Sequence, residues 1–231
     1  MTEQLIVNHL STLALAVQNK SASGRGSGKK IDLYGIKKLR ELILELAVRG
    51  KLVAQNPEDE PASKLLERIE AERNRLVKEK SIPRTKALPS VAEEERPEDL
   101  PAGWEVVRLG NLTSKIGSGS TPRGGKNAYV EEGIVFLRSQ NVWNEGFKLD
   151  DIAYIPNETH QKMANTKVMP GDILLNITGA SLGRSTIFPH ELCEANVSQH
   201  VTIIRPLESQ MALFIHLGIL SPMVQKLAKT S

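Results

Sequence analysis

Arginine, glutamine and asparagine each present donors or acceptors in a planar fork, the geometry that bidentate contact with a guanine or adenine edge requires. They occur together in Leu137-Arg138-Ser139-Gln140-Asn141-Val142, so Arg138, Gln140 and Asn141 are candidate base readers and Ser139 a candidate DNA contact among them. A second group lies in or beside glycine-bracketed loops. Gly117–Gly125 reads GSGSTPRGG and contains Arg123, with Lys126 directly after it. Gly179–Gly183 encloses Ser181, with Thr178 before it and Arg184 after it. Such loops let backbone approach a phosphate ester closely, which makes Arg123, Lys126 and Arg184 candidate phosphate contacts.

The same residues do not build a nucleotide cradle. A P-loop ending at Gly125-Lys126 needs glycine at Ser120 and a hydroxyl residue at Asn127. A Rossmann turn opening on Gly117 and Gly119 needs glycine at Pro122. His190, Cys193 and His200 lack a fourth ligand and match no zinc spacing. There is no G-x-S-x-G and no defensible Ser/His/Asp or paired-carboxylate set. No catalytic residue, metal or cofactor is expected.

Charge narrows the binding mode. Residues 1–95 hold 17 Lys and Arg against 14 Asp and Glu, whereas residues 96–231 hold 13 of each. The second part is neutral overall, so contact with a polyanion needs a local patch. Between Pro101 and Val130 such a patch is available: Arg108, Lys115, Arg123 and Lys126 against Glu105. The 231 residues are 40% hydrophobic and 4% aromatic, enough for a core built from Leu, Ile and Val. A single cysteine, Cys193, fits a reducing compartment, and no apolar run is long enough to span a membrane. A cytoplasmic protein is the expectation.

These side chains must be positioned by an α+β chain. Asp172–Thr178 follows the Pro170-Gly171 turn and alternates Ile173, Leu175 and Ile177 with Leu174, Asn176 and Thr178. That pattern predicts a strand with one wet face, paired through Gly179–Gly183 with Arg184–Phe188. Strands are also predicted over Trp104–Leu109, Ile134–Asn141 and Val197–Arg205, a helical turn ending at Met163–Thr166, and a helix over Gln210–Lys229 weakened at Ser221-Pro222. Upstream, an amphipathic helix is predicted over Met1–Asn19 and a basic Gly/Ser linker over Ser21–Lys30. The strongest helix is Asp32–Arg49, with Asp32 as N-cap, Gly50 at C′ and a stripe of Ile36, Leu39, Ile43 and Leu46 that calls for a partner helix. A charged helix from Pro61 to about Lys80, with Leu65, Leu66, Ile69 and Leu76 as its seam, reads as an exposed arm. The proline-rich stretch 81–99 reads as a linker before a domain that starts near residue 100.

IKKLRELILELAVRGKLV, NPEDEPASKLLERIEAER, LPAGWEVVRLGNL, GSGSTPRGG, FLRSQNV, GDILLNITGASLGRS and NVSQHV follow one another through residues 31–231. In that order they resemble the DNA-specificity subunit of type I restriction-modification enzymes. The resemblance implies a non-catalytic subunit with two target-recognition domains separated by long helices. Each domain reads half of a split site, and the helices bind methyltransferase subunits. It therefore implies double-stranded DNA and the methyltransferase and restriction subunits as partners, with 31–80 as the helical region and 100–231 as a target-recognition domain. Gln199 and His200 are further candidate DNA contacts, and the stripe Ile36, Leu39, Ile43 and Leu46, too apolar to stay exposed, is the candidate subunit seam. This chain departs from the pattern in carrying one helical region and one recognition domain, as a truncated or half-length form that pairs with a second specificity chain would. The alternatives are the specificity domain of a fused methyltransferase-nuclease and an interaction protein that pairs with intact specificity subunits.

Overall fold

The computed structural model describes residues 15–16, 18–20, 30–32 and 34–230. The helix expected over Met1–Asn19 and the linker over Ser21–Lys30 lie largely outside them. Where they are described, Gln18–Lys20 (β1) and Lys30–Asp32 (β2) pair antiparallel. Asp32, expected as the N-cap of the first helix, is thus the last residue of β2. The first helix, α1, runs over Tyr34–Val48 and ends as its sequence predicts. Gly50 takes φ +66°, its N–H donates to Ala47 O (3.0 Å), and Lys51 N–H donates to Leu46 O (2.8 Å). Those two bonds form a Schellman closure, which needs the left-handed residue that glycine supplies. A Cβ at Gly50 would also stand 2.8 Å from the Trp104 ring, so the position has no room for a side chain.

Helix α2 covers Ala62–Lys78. The chain then folds as β3 (Thr113–Ser118), β4 (Ile134–Leu137), β5 (Val142–Trp143), β6 (Gly146–Phe147), β7 (Ala153–Ile155), α3 (Asn157–Lys162), β8 (Lys167–Val168), β9 (Ile173–Asn176), β10 (Ser185–Ile187), β11 (Ala195–Val197), β12 (Val201–Pro206), α4 (Met211–Leu220) and α5 (Pro222–Thr230). One antiparallel sheet has the order β10-β9-β12-β3, and a second, mixed sheet has the order β7-β4-β11-β8. β5 and β6 form a separate hairpin. The fold is α+β.

The first sheet is covered on both faces. Leu174, Val201 and Ile203 pack with Leu137, Val142, Phe188 and Val197 between the two sheets. Ile173 and Ile204 face the other way, onto Ile69 of α2 and Ile215 and Ile219 of α4. The alternation along β9 is as expected, but its second face is not wet: Leu174 and Asn176 are fully buried because the second sheet lies against them. Nor is α2 an exposed arm. Ile69 is 1% exposed, Leu65 and Leu66 pack on the same cluster, and Arg73 Nη2 donates to Gly110 O (2.6 Å) and Thr113 O (3.0 Å).

Other expectations are revised. Trp104–Leu109 forms no strand. Trp104 instead docks its ring beside Phe214 (6.2 Å between centroids) and donates Nε1–H to Gln55 Oε1 (2.7 Å). β4 stops at Leu137, and the run expected over Val197–Arg205 divides into β11 and β12 around Ser198–His200. The C-terminal helix breaks at Ser221-Pro222 into α4 and α5, where proline removes a backbone donor. These two helices lie beside α1. Leu39 is buried, while Ile36, Ile43 and Leu46 are half-buried. Among the described residues no single helix is long and apolar enough to cross a membrane.

Candidate nucleic-acid interface

Three turns meet at one end of the first sheet. The first follows β4: Asn141 N–H donates to Arg138 O (2.8 Å) and closes the turn Arg138–Asn141. The second joins β9 to β10, where a 3-10 turn over Gly179–Ser181 carries the chain from Thr178 to Arg184. The third joins β11 to β12 through Gln199 and His200, closed by Val201 N–H donating to Ser198 O (3.0 Å). Two bonds lock them together. The buried Asn176 amide donates to Ser139 O (2.8 Å), and Ile177 N–H donates to His200 O (3.0 Å).

Between these turns lies an open cleft of about 420 Å³, lined by Ser139, Gln140, Thr178, Gly179, Ala180, Ser181, Arg184 and His200. Sequence-marked residues separated by up to sixty positions therefore converge on one surface. Thr178 Oγ1 and His200 Nδ1 are 2.8 Å apart across it. Among the described residues the Arg184 guanidinium has no carboxylate partner; its Cζ stands 3.6 Å from the Trp143 ring centroid. Hydroxyls, a carboxamide, an imidazole and a guanidinium on a shallow, wet surface suit hydrogen-bonded recognition of a large polar partner, whereas an enclosed apolar pocket would suit a small molecule.

Not every marked residue is available. Asn141 is 2% exposed and its amide is committed: Oδ1 accepts from Arg138 N–H (2.9 Å), and Nδ2 donates to Lys148 O (2.9 Å) and Asp151 O (3.2 Å). It shapes the turn and cannot also read a base. Arg138 donates Nη2–H to Asp151 O (2.6 Å) and that nitrogen lies 3.1 Å from Asp151 Oδ2, so Asp151 holds one arm of its guanidinium. Gln140 Nε2 also donates to Asp151, but its side chain is exposed and lines the cleft. Gln199 is exposed in the third turn without lining the cleft.

The local basic patch shrinks in the same way. Arg108 is paired with Glu95 (Nη1 to Oε1, 2.7 Å), and that bond holds the Glu95 carboxyl below its ordinary range. Lys115 donates to Asn165 O (2.5 Å), and burial is the main cause that pushes its ammonium pKa down, with Arg205 adding to it and Asp172 opposing. Arg123 and Lys126 are exposed and carry no ion pair among the described residues. Their loop begins beside the third turn: Gly119 N–H donates to Val201 O (2.9 Å) and Ser120 N–H to Val197 O (3.0 Å). A Cβ at Gly119 would lie 2.0 Å from Val197 O, which is why the loop can start there only on glycine.

Sequence reasoning missed Trp143 and Lys148. Trp143 Nε1–H donates to Gln140 O (2.7 Å), and Lys148 Nζ stands 3.5 Å from the ring centroid. The signal was there in Trp143-Asn144-Glu145-Gly146, a tight hairpin turn directly after the LRSQNV run, with Gly146 at φ +131°.

No protein-family model matches the chain. Over 117 residues, 49% of this chain, it is 59% identical to the type I restriction enzyme EcoAI specificity subunit of Escherichia coli. Over 112 residues, 48% of the chain, it is 56% identical to the EcoEI specificity subunit from the same organism. These alignments cover 20% and 19% of the two proteins, so the chain spans about a fifth of the length of the curated relatives it matches. Among solved structures it is similar to the HsdS subunit of Thermoanaerobacter tengcongensis, at 18% identity and a TM-score of 0.40, covering 98% of this chain and 52% of that one.

Proposed function

We propose that this chain, a relative of the specificity subunits of type I restriction enzymes over about half its length, binds double-stranded DNA and reads one half of a split target site without catalysing a reaction on it. The observation that carries the reading is the convergence of Ser139, Gln140, Thr178, Ser181, Arg184 and His200 on one open cleft. In this proposal Gln140 and Arg184 read base edges, Thr178, Ser181 and His200 support them, and Arg123 and Lys126 hold phosphate. Residues 100–231 form the target-recognition domain, and the protein works in the cytoplasm.

The experiment is selection from a randomised double-stranded oligonucleotide pool by the purified chain, followed by binding measurements on the enriched site and its single-base variants. Enrichment of one short motif is expected, and retention independent of sequence would refute the reading. Gln140→Ala is expected to cost about 1–3 kcal/mol on the enriched site and to relax preference at one base pair. Lys126→Ala is expected to weaken all sequences alike and to lower the salt slope by about one unit.

The helical layer is the proposed docking side for the methyltransferase and restriction subunits that the family resemblance implies. α1 lies beside α4 and α5, Ile36, Leu39, Ile43 and Leu46 are buried or half-buried on it, and Leu42 on α1 and Phe214 on α4 stay 43% and 47% exposed. Leu42→Glu is therefore expected to weaken capture of a methyltransferase subunit roughly tenfold while moving the chain's own stability by less than about 0.5 kcal/mol, as surface substitutions do. Co-purification and a melting curve check both halves; undiminished capture would remove Leu42 from the interface.

A further inference from the structure

Among the described residues Trp143 alone meets two cations: Lys148 Nζ lies 3.5 Å and Arg184 Cζ 3.6 Å from its ring centroid. The ring is fixed from several sides. Its Nε1–H is tied to Gln140 O (2.7 Å), its neighbour Val142 is fully buried in the core between the sheets, and Asn144 Oδ1 accepts from Ser185 N–H (3.1 Å). Trp143 thus links the turn that carries Gln140 to the start of the strand that follows Arg184.

Stacking and ion pairing leave a guanidinium in different states. A carboxylate uses the in-plane N–H donors, as Asp172 does for Arg205 Nε and Nη2. An aromatic face instead attracts the guanidinium plane and leaves the edge donors free. Arg184 lines the cleft and has no carboxylate partner among the described residues. Holding Arg184 and Lys148 at one ring also concentrates positive charge, with no carboxylate ion-paired to either among the described residues, a cost that an incoming polyanion removes.

We infer that Trp143 is a positioning residue for DNA readout: its ring holds the Arg184 guanidinium at the cleft edge with its donors free for an acceptor on DNA. This rests on the DNA reading given above. It makes Arg184 readout dependent on a side chain that does not itself line the cleft.

The test is a double-mutant cycle in the full chain, using the site enriched from the randomised duplex pool as probe. Arg184→Ala is expected to weaken binding about tenfold and Trp143→Leu about fivefold, while the double variant falls no more than about twofold below Arg184→Ala alone, because the two act as a unit. Trp143→Phe, which keeps an aromatic face, is expected to stay within about threefold of the parent. Additive losses, or a Phe variant as weak as the Leu variant, would overturn the assignment. A second readout needs no change at 143. Trp104→Phe leaves Trp143 as the sole tryptophan of the two in the sequence, and its emission should shift when the probe is added. That shift should disappear with Arg184→Ala, and its persistence would also overturn the assignment. A parent chain that enriches no duplex would instead refute the DNA reading itself, and this inference with it. Enrichment followed by additive losses would remove only the role of Trp143.

Discussion

Ile69→Ala is expected to destabilise the whole chain by about 2–4 kcal/mol, seen as a lower urea midpoint with an unchanged slope. Ile69 is 1% exposed and belongs to the same cluster as Leu112, Ile173, Ile204, Ile215 and Ile219. Truncating it removes apolar burial and leaves a cavity between helix and sheet that rigid strands cannot close. The size matters because a domain of this kind is stable by only about 5–15 kcal/mol in all. Ile36→Ala, at a half-buried position on α1, should cost less than half as much. Equal, small effects at both positions would mean that α2 merely leans on the sheet. The expected contrast also implies that removing α2 would expose Ile173 and Ile204, so a piece starting at residue 100 should aggregate.

Arg205→Met is expected to cost about 2–4 kcal/mol, and changing Asp172 as well should recover part of the loss. Asp172 is 1% exposed. Its Oδ1 accepts from Arg205 Nε–H and its Oδ2 from Arg205 Nη2–H, each at 2.7 Å, and Oδ2 also accepts from Met169 N–H (2.8 Å). Removing the guanidinium strands a buried carboxylate with one backbone donor, and that desolvation is the main cost. Asp172→Asn keeps an oxygen for the Met169 N–H and removes the charge. The double variant Asp172→Asn, Arg205→Met should therefore be at least about 1 kcal/mol more stable than Arg205→Met alone. Thermal or urea unfolding of the four proteins decides it. A double variant that loses the sum of both singles would show that the pair is worth more intact than the desolvation argument allows.

Both predictions concern residues that position the cleft. Arg205 lies on β12, which pairs with β9, and β9 carries Asn176 and leads into the Thr178–Arg184 turn. A loss of fold there and a loss of DNA contact at Gln140 or Arg184 are separable, because the first moves unfolding and the second does not.

The sequence by itself determined the local geometry. The alternation over Ile173–Ile177 specifies an extended chain, Gly179 and Gly183 permit its return, Gly50 ends α1 in a left-handed turn, and Pro222 breaks the last helix. These features depend on backbone torsions and on neighbours within a few residues, which a linear pattern encodes directly. It also determined which residue types were present for recognition. Which of them are free to act was decided only by tertiary structure. Gln140 and Asn141 are adjacent and chemically alike, yet Asn141 turns inward to bond Lys148 and Asp151, while Gln140 stays at the surface. Arg138 is held by Asp151, thirteen residues on, and Arg184 is held by Trp143, forty-one residues back. Asn176, read as lying on a wet face, is buried because a second sheet covers it, and the charged helix α2 is buried along its seam because β9 and β12 present isoleucines to it. A pattern of residue types states what a face is made of. What lies against that face, and so whether a donor is spent or available, depends on segments brought from elsewhere in the chain.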